Sequence, residues 1–202
     1  AWGSFSEFVN ANPYYPVTNE DGTIPRDLDV YKRANYADIT ATNPYYNAML
    51  PSENRSKILS VTNNTNLNWY IIDNLRWTAS MSLNTTNTDN MNFTDPAHTK
   101  YASSDYTKQG EYSSSKSRSW RYTMNTGIAY ALSLNDHNLT FNGRAEIRST
   151  SSNTESFVAT GFPKGVGAIP SFAYSFKENS TPGYSESISR GVSFLGTFNY
   201  NY

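Results

Sequence analysis

Between Leu75 and Asn84 the chain reads LRWTASMSLN, with an apolar side chain at every odd position and a polar one at every even position. Successive side chains on a pleated strand point to opposite faces, so strict alternation marks a strand with one apolar and one polar face. The pattern recurs. Trp120, Tyr122, Met124, Thr126, Ile128, Tyr130, Leu132 and Leu134 alternate with Arg121, Thr123, Asn125, Gly127, Ala129, Ala131 and Ser133. Leu139, Phe141, Gly143, Ala145 and Ile147 oppose Thr140, Asn142, Arg144, Glu146 and Arg148. Val192, Phe194, Gly196, Phe198, Tyr200 and Tyr202 form another stripe, with Leu195 out of phase, and a weaker one runs from Leu59 to Ile71, interrupted at Asn63 and Thr65.

Mean hydropathy is only -0.64, and 37% of the 202 residues are hydrophobic, a thin supply for a private core. Aromatics make up much of it, with 16 Tyr, 10 Phe and 4 Trp, and this mix with abundant Ser, Asn and Thr favours strands and turns. The formal charge of -1 gives no basic footprint, so nucleic acid is not an expected partner. The absence of Cys excludes disulfides, thiol catalysis and thiolate metal sites, without fixing the compartment. No apolar run reaches the roughly 18 residues of a spanning helix, and no signal-peptide pattern opens the chain, which starts without Met and reads as a piece of something longer.

The connections alternate in length. Short turns fall at IIDN (71–74) and NDHN (135–138), whereas long polar, aromatic loops are expected at about 85–119 and 150–190. Short turns at one end and long loops at the other match an outer-membrane β-barrel with periplasmic turns and extracellular loops. A ten-residue strand reaches about 34 Å, and a tilt near 45° leaves about 24 Å along the membrane normal, close to the expected apolar band of about 25 Å. Charge is segregated in the clear strands. Arg76, Arg121, Arg144, Glu146 and Arg148 all lie on the polar phase, the expected lumen-facing side, and Trp69, Trp77, Trp120, Tyr122, Tyr200 and Tyr202 stand at strand ends, where rings favour a membrane interface. A half-buried soluble sheet would segregate charge too, with each Trp in its core. Five strands make roughly 24 Å of wall, too narrow to enclose a large pore, and bacterial single-chain barrels have even strand numbers. The expected fold is an all-β antiparallel meander forming part of a large transmembrane β-barrel, with residues 1–56 as an extracellular loop region and 57–202 as barrel strands.

Four stretches then add a family. WGSFSEFVNANPYYPVTNEDGTI (Trp2 to Ile24), NPYYNAML (Asn43 to Leu50), FTDPAHTKY (Phe93 to Tyr101) and GFPKG (Gly161 to Gly165) resemble the barrel region of SusC/RagA-like TonB-linked outer-membrane transporters. The resemblance implies a 22-stranded barrel closed by an N-terminal plug, import of oligosaccharide or peptide driven through TonB, a SusD-like surface lipoprotein as partner, and contact with membrane lipid. It implies no cofactor. This chain shows neither plug nor TonB box, so coupled transport is expected of a full-length parent.

Catalysis finds no constellation. His98 and His137 lack zinc-site spacing and read as solvated turn residues, no nucleophile elbow or P-loop is present, and Asp27 with Asp29 lacks the EF-hand pattern, leaving bound calcium open. Ligand binding has better candidates: Tyr14, Tyr15, Tyr45 and Tyr46 in two Asn-Pro-Tyr-Tyr copies, and Phe162, whose rings could stack on sugar rings. The plainer reading of each copy is that Asn-Pro anchors a long loop. Arg144, Glu146 and Arg148 share a face and would contact a plug or simply wet the lumen wall. Two further classes stay open, a soluble all-β cell-surface binding module for carbohydrate or adhesion and, less supported, an outer-membrane enzyme.

Overall fold

The alternating stretches form long antiparallel strands in the computed structural model, which describes residues 14–31 and 39–202. In chain order the elements are β1 (Asp27–Tyr31), β2 (Ile39–Thr42), α1 (Pro44–Met49), β3 (Glu53–Ile72), β4 (Leu75–Thr94), β5 (Glu111–Leu134), β6 (His137–Thr160), β7 (Ser175–Phe176) and β8 (Gly183–Asn201). β1 and β2 make a small sheet. β3, β4, β5 and β6 lie side by side in sequence order, and β7 and β8 both pair with β6. The result is an all-β antiparallel meander, open at its ends.

Each predicted strand is present and longer than its greasy stripe. β5 and β6 have 24 residues each, and the connections shrink to 95–110 and 161–182, against the expected 85–119 and 150–190. The reason is that pairing outlasts the apolar stripe: over 85–90, 113–119 and 149–156 both faces are polar while strand hydrogen bonding continues. Side-chain bonds across the pairs, such as Thr154 Oγ1 to Ser117 Oγ at 3.1 Å, support these extensions, each worth about 0.2–1 kcal/mol. The described part of 1–56, expected as loop, holds β1, β2, α1 and the start of β3.

The chain divides into two units. The first comprises Ala1–Ser56, Asn90–Ser114 and Ser156–Pro182. It holds the buried apolar cluster of Met91, Phe93, Ala159 and Phe162, flanked by Tyr112, Phe157, Ala168 and Ala173. Buried asparagines tie its segments together. Asn43 caps α1 by accepting the Tyr45 N–H at 3.0 Å and donates to the Val17 and Pro25 carbonyls, both at 2.9 Å. Pro44 follows at the first helical turn, where its missing N–H costs nothing. Asn47 donates to Thr99 Oγ1 at 2.7 Å and accepts the Thr99 N–H at 3.1 Å.

The second unit comprises Lys57–Asp89, Ser115–Glu155 and Gly183–Tyr202, the paired lengths of β3, β4, β5, β6 and β8 with their two tight turns. Asn135 takes positive φ (52°) in the β5–β6 turn, as a tight hairpin asks. This unit is a single sheet layer. None of the chain's buried hydrophobic residues belongs to it, and Phe194 remains 81% exposed.

Candidate functional site

The polar phase of the second unit is laced by short side chains. Ser60 and Thr86 meet at 3.2 Å, Asn84 Nδ2 donates to Thr62 Oγ1 at 2.7 Å, and Ser82 Oγ donates to Asn64 Oδ1 at 2.7 Å. These bonds step in twos along β3 and β4, holding one register and one face. Asn142 Nδ2 reaches Thr197 Oγ1 on β8 at 3.3 Å. The charges predicted for this face sit within the lacework. Arg144 Nη2 donates to Asn125 Oδ1 at 2.9 Å and lies 3.8 Å from Glu146 Oε2. Arg121 Nε donates to Thr150 Oγ1 at 3.2 Å. Arg148 lies over Gly191, where any Cβ would stand 2.9 Å from its Nε. Arg76 and Arg144 line one depression of about 380 Å³ with Thr78, Asn125, Gly127 and Asn142. Sequence reasoning did not single out Gly127 or Gly191; their signal is a residue without a side chain on the polar phase, beside arginines of the next strand.

The opposite phase is apolar and exposed. Trp69 and Trp77 meet edge to face with centroids 6.3 Å apart, and Trp77 Nε1 donates to Thr126 Oγ1 at 2.8 Å, so the indole N–H needs no water. Trp120 stacks on Tyr122 at 5.5 Å. His137 is no bare turn residue: its ring stacks on Tyr200, with Nδ1 2.7 Å from the Tyr200 hydroxyl, and lies 4.9 Å from the Tyr202 ring. Along this phase the apolar run gives way to charge, at Lys57 beyond Leu59, Arg118 beyond Trp120 and Arg190 beyond Val192.

In the first unit the aromatic candidates separate. Phe162, expected to face a ligand, is 4% exposed and packs edge to face on Phe93 at 5.3 Å and against Tyr112 at 6.4 Å. It is core, because the Phe162 and Gly161 N–H groups both bond the Gln109 carbonyl, at 2.8 and 3.1 Å, and turn the ring inward. Gly161 has φ +80°, and a Cβ there would stand 2.5 Å from the Thr107 carbonyl oxygen. Tyr14 is 90% exposed. The Tyr15 hydroxyl donates to Asp29 Oδ2 at 2.9 Å, and the other Asp29 oxygen accepts the Val30 N–H. Tyr45 is exposed and Tyr46 half-buried, both in the first turn of α1. Asn12 and Pro13 of the first copy, with the start of the Trp2 to Ile24 segment, lie outside the described residues. His98 accepts the Lys100 N–H through Nδ1 at 3.1 Å.

Two ion pairs join the connections 95–110 and 161–182 to their neighbours: Lys108 with Glu178 at 2.6 Å and Lys177 with Glu111 at 2.8 Å. The bond to Glu178 raises the Lys108 pKa, and the same bond lowers that of Glu178. Burial pulls Lys100 below the ordinary lysine range, against the opposing pull of Glu111.

Solved structures share this fold. The chain aligns over 94% of its length with the RagAB peptide transporter (TM-score 0.65, 19% identity). It aligns over 100% with the RagAB peptide importer in its closed-closed state (TM-score 0.70, 20% identity) and in its open-open state (TM-score 0.66, 20% identity). The fold is a piece of barrel wall. The chain covers only 20%, 22% and 21% of those three chains, respectively. No protein-family model matches the sequence, and no curated protein does.

Proposed function

We propose that the chain forms part of the wall of a bacterial outer-membrane importer, with its apolar phase against lipid hydrocarbon and its polar phase lining a water-filled passage. One observation carries this reading: the long sheet is a single layer whose large apolar side chains find no cover among the described residues. Leaving each such side chain in water forgoes roughly 1.5 to 3 kcal/mol, so the face needs an apolar medium. A soluble binding module would need a second layer over this face, and no described residue of the second unit supplies one.

The open edges argue the same way. Among the described residues β3 pairs only with β4, and β8 only with β6. Unpaired strand edges do not occur in hydrocarbon, so further strands close both sides. The strands exceed the bilayer: 24 residues span roughly 80 Å, and about 57 Å along the normal at 45°. The polar extensions therefore stand clear of the band on the loop side. Peptide is the cargo we propose, following the solved neighbours, which are described as a peptide transporter and importer; oligosaccharide is the other class that the family resemblance allows. Coupling through TonB and a SusD-like lipoprotein partner belong to the same proposal, as does an extracellular position for Tyr14 and Tyr45.

Fractionation tests it. The intact protein should partition with the outer membrane and stay monodisperse only in detergent. A monodisperse species in detergent-free buffer contradicts the reading.

A further inference from the structure

Charge on the polar phase of the long sheet is one-sided. Within the second unit its cations are Arg76, Arg121, Arg144 and Arg148, its one carboxylate is Glu146, and the rest is mainly Ser, Thr and Asn. Every cation is arginine, whose fork matches a carboxylate through two parallel bonds. Most are engaged: Arg121 with Thr150, Arg144 with Asn125, and Arg148 laid over Gly191. The Arg76 guanidinium has no partner among the described residues. It borders the depression of about 380 Å³ that Arg144 borders from β6, with β5 between them.

The floor between them is kept low. Gly127 occupies the polar phase of β5 there, and a Cβ would meet Thr78 Oγ1 at 3.0 Å. The rim carries two guanidinium groups, while the Thr78 hydroxyl donates to the Gly127 carbonyl at 3.4 Å. Its asparagine oxygen at position 125 is already taken by Arg144. Glu146, at 3.8 Å from Arg144, is too far for a hydrogen bond. A surface with surplus donors and an empty floor suits an acceptor that carries negative charge.

We propose that Arg76 and Arg144 form a carboxylate subsite over Gly127, taking an acidic side chain or the C-terminal carboxylate of a peptide in passage. The inference rests on the reading that this face lines an aqueous passage. Asn125 is a positioning residue, holding the Arg144 guanidinium toward the depression. Glu146 competes for Arg144 and limits the affinity of the subsite.

The test uses the intact protein extracted in detergent, titrated by calorimetry with Ala-Glu-Ala-Glu-Ala and with Ala-Gln-Ala-Gln-Ala, both amidated at the C-terminus. The acidic peptide should bind about tenfold more tightly, as expected for one charge-assisted pair. R76Q/R144Q should reduce that preference to about twofold or less, R76K/R144K should keep part of it, and E146Q should enlarge it. A preference unchanged in R76Q/R144Q overturns the proposal. So does a lack of preference in the unaltered protein when T123C, on the same face, reacts with a charged thiol reagent and the passage is thereby shown to be wet. A T123C that does not react points instead to failure of the barrel reading. If R76Q/R144Q lowers the melting temperature without ligand and no preference exists to lose, the arginines serve a carboxylate of the polypeptide itself, which also overturns the proposal.

Discussion

The Phe162 ring lies between Phe93 and Tyr112, so its removal leaves a hole that the backbone bonds at Gln109 prevent from closing. Phe162→Ala should cost about 3–5 kcal/mol, read as a loss of thermal stability of the loop-bearing unit with little change in the strands near the hairpin turns. Tyr101 is also buried, and burial first, then the Glu111 charge, hold its hydroxyl neutral well above the ordinary tyrosine range. The unfolded chain ionises sooner. Stability from this group is therefore whole below about pH 10 and is lost as pH climbs toward the folded value. Tyr101→Phe keeps the packing and should move the midpoint of alkaline unfolding upward, measured by circular dichroism across pH 9 to 12 (about the tyrosine range). Neither role was legible in the sequence. A Phe between Gly161 and Pro163 looks like a loop-tip ring, and only the contact with Gln109, far away in the chain, turns it inward.

The strands were legible where one phase is apolar, from Leu75 to Leu83 or Trp120 to Leu134, because side chains on a pleated strand alternate between two faces and an unbroken apolar stripe marks one of them. Their extensions were not, since Thr85 to Asp89 and Ser115 to Ser119 have two wet faces and read as loop. The face assignment makes a prediction at this scale. Met124→Arg puts a cation on the apolar phase and should cost about 2–4 kcal/mol of folding stability in bilayers if it lies near the midplane, while Thr123→Arg should change little. Urea unfolding from lipid vesicles, followed by tryptophan fluorescence, separates the two. The loop latches respond to pH. Glu178 has a lowered pKa, so its pairing with Lys108 holds from neutral pH down through the ordinary carboxylate range and fades as pH falls through the folded value. Lys108, with a raised pKa, keeps the pairing until pH climbs through its own folded value. Hydrogen exchange at 161–178 should quicken below about pH 4 more than in Glu178→Gln. Both groups are fully exposed, so salt should weaken the effect.

At the scale of the molecule, a chain with mean hydropathy of -0.64 places its apolar side chains on two surfaces. One is the small core beneath the long connections; the other is the open stripe of the long sheet, exposed within the chain. The first suffices to fix the loops. The second is the surface that the proposed importer wall sets against lipid. Adjacent positions on β4 read both sides of that wall at once. Spin labels at Ala79 and Ser80, placed one at a time in the intact protein in bilayers, report access to oxygen dissolved in lipid and to a nickel chelate dissolved in water. The account predicts oxygen-dominated relaxation at Ala79 and chelate-dominated relaxation at Ser80. Equal access of the chelate to both would contradict it.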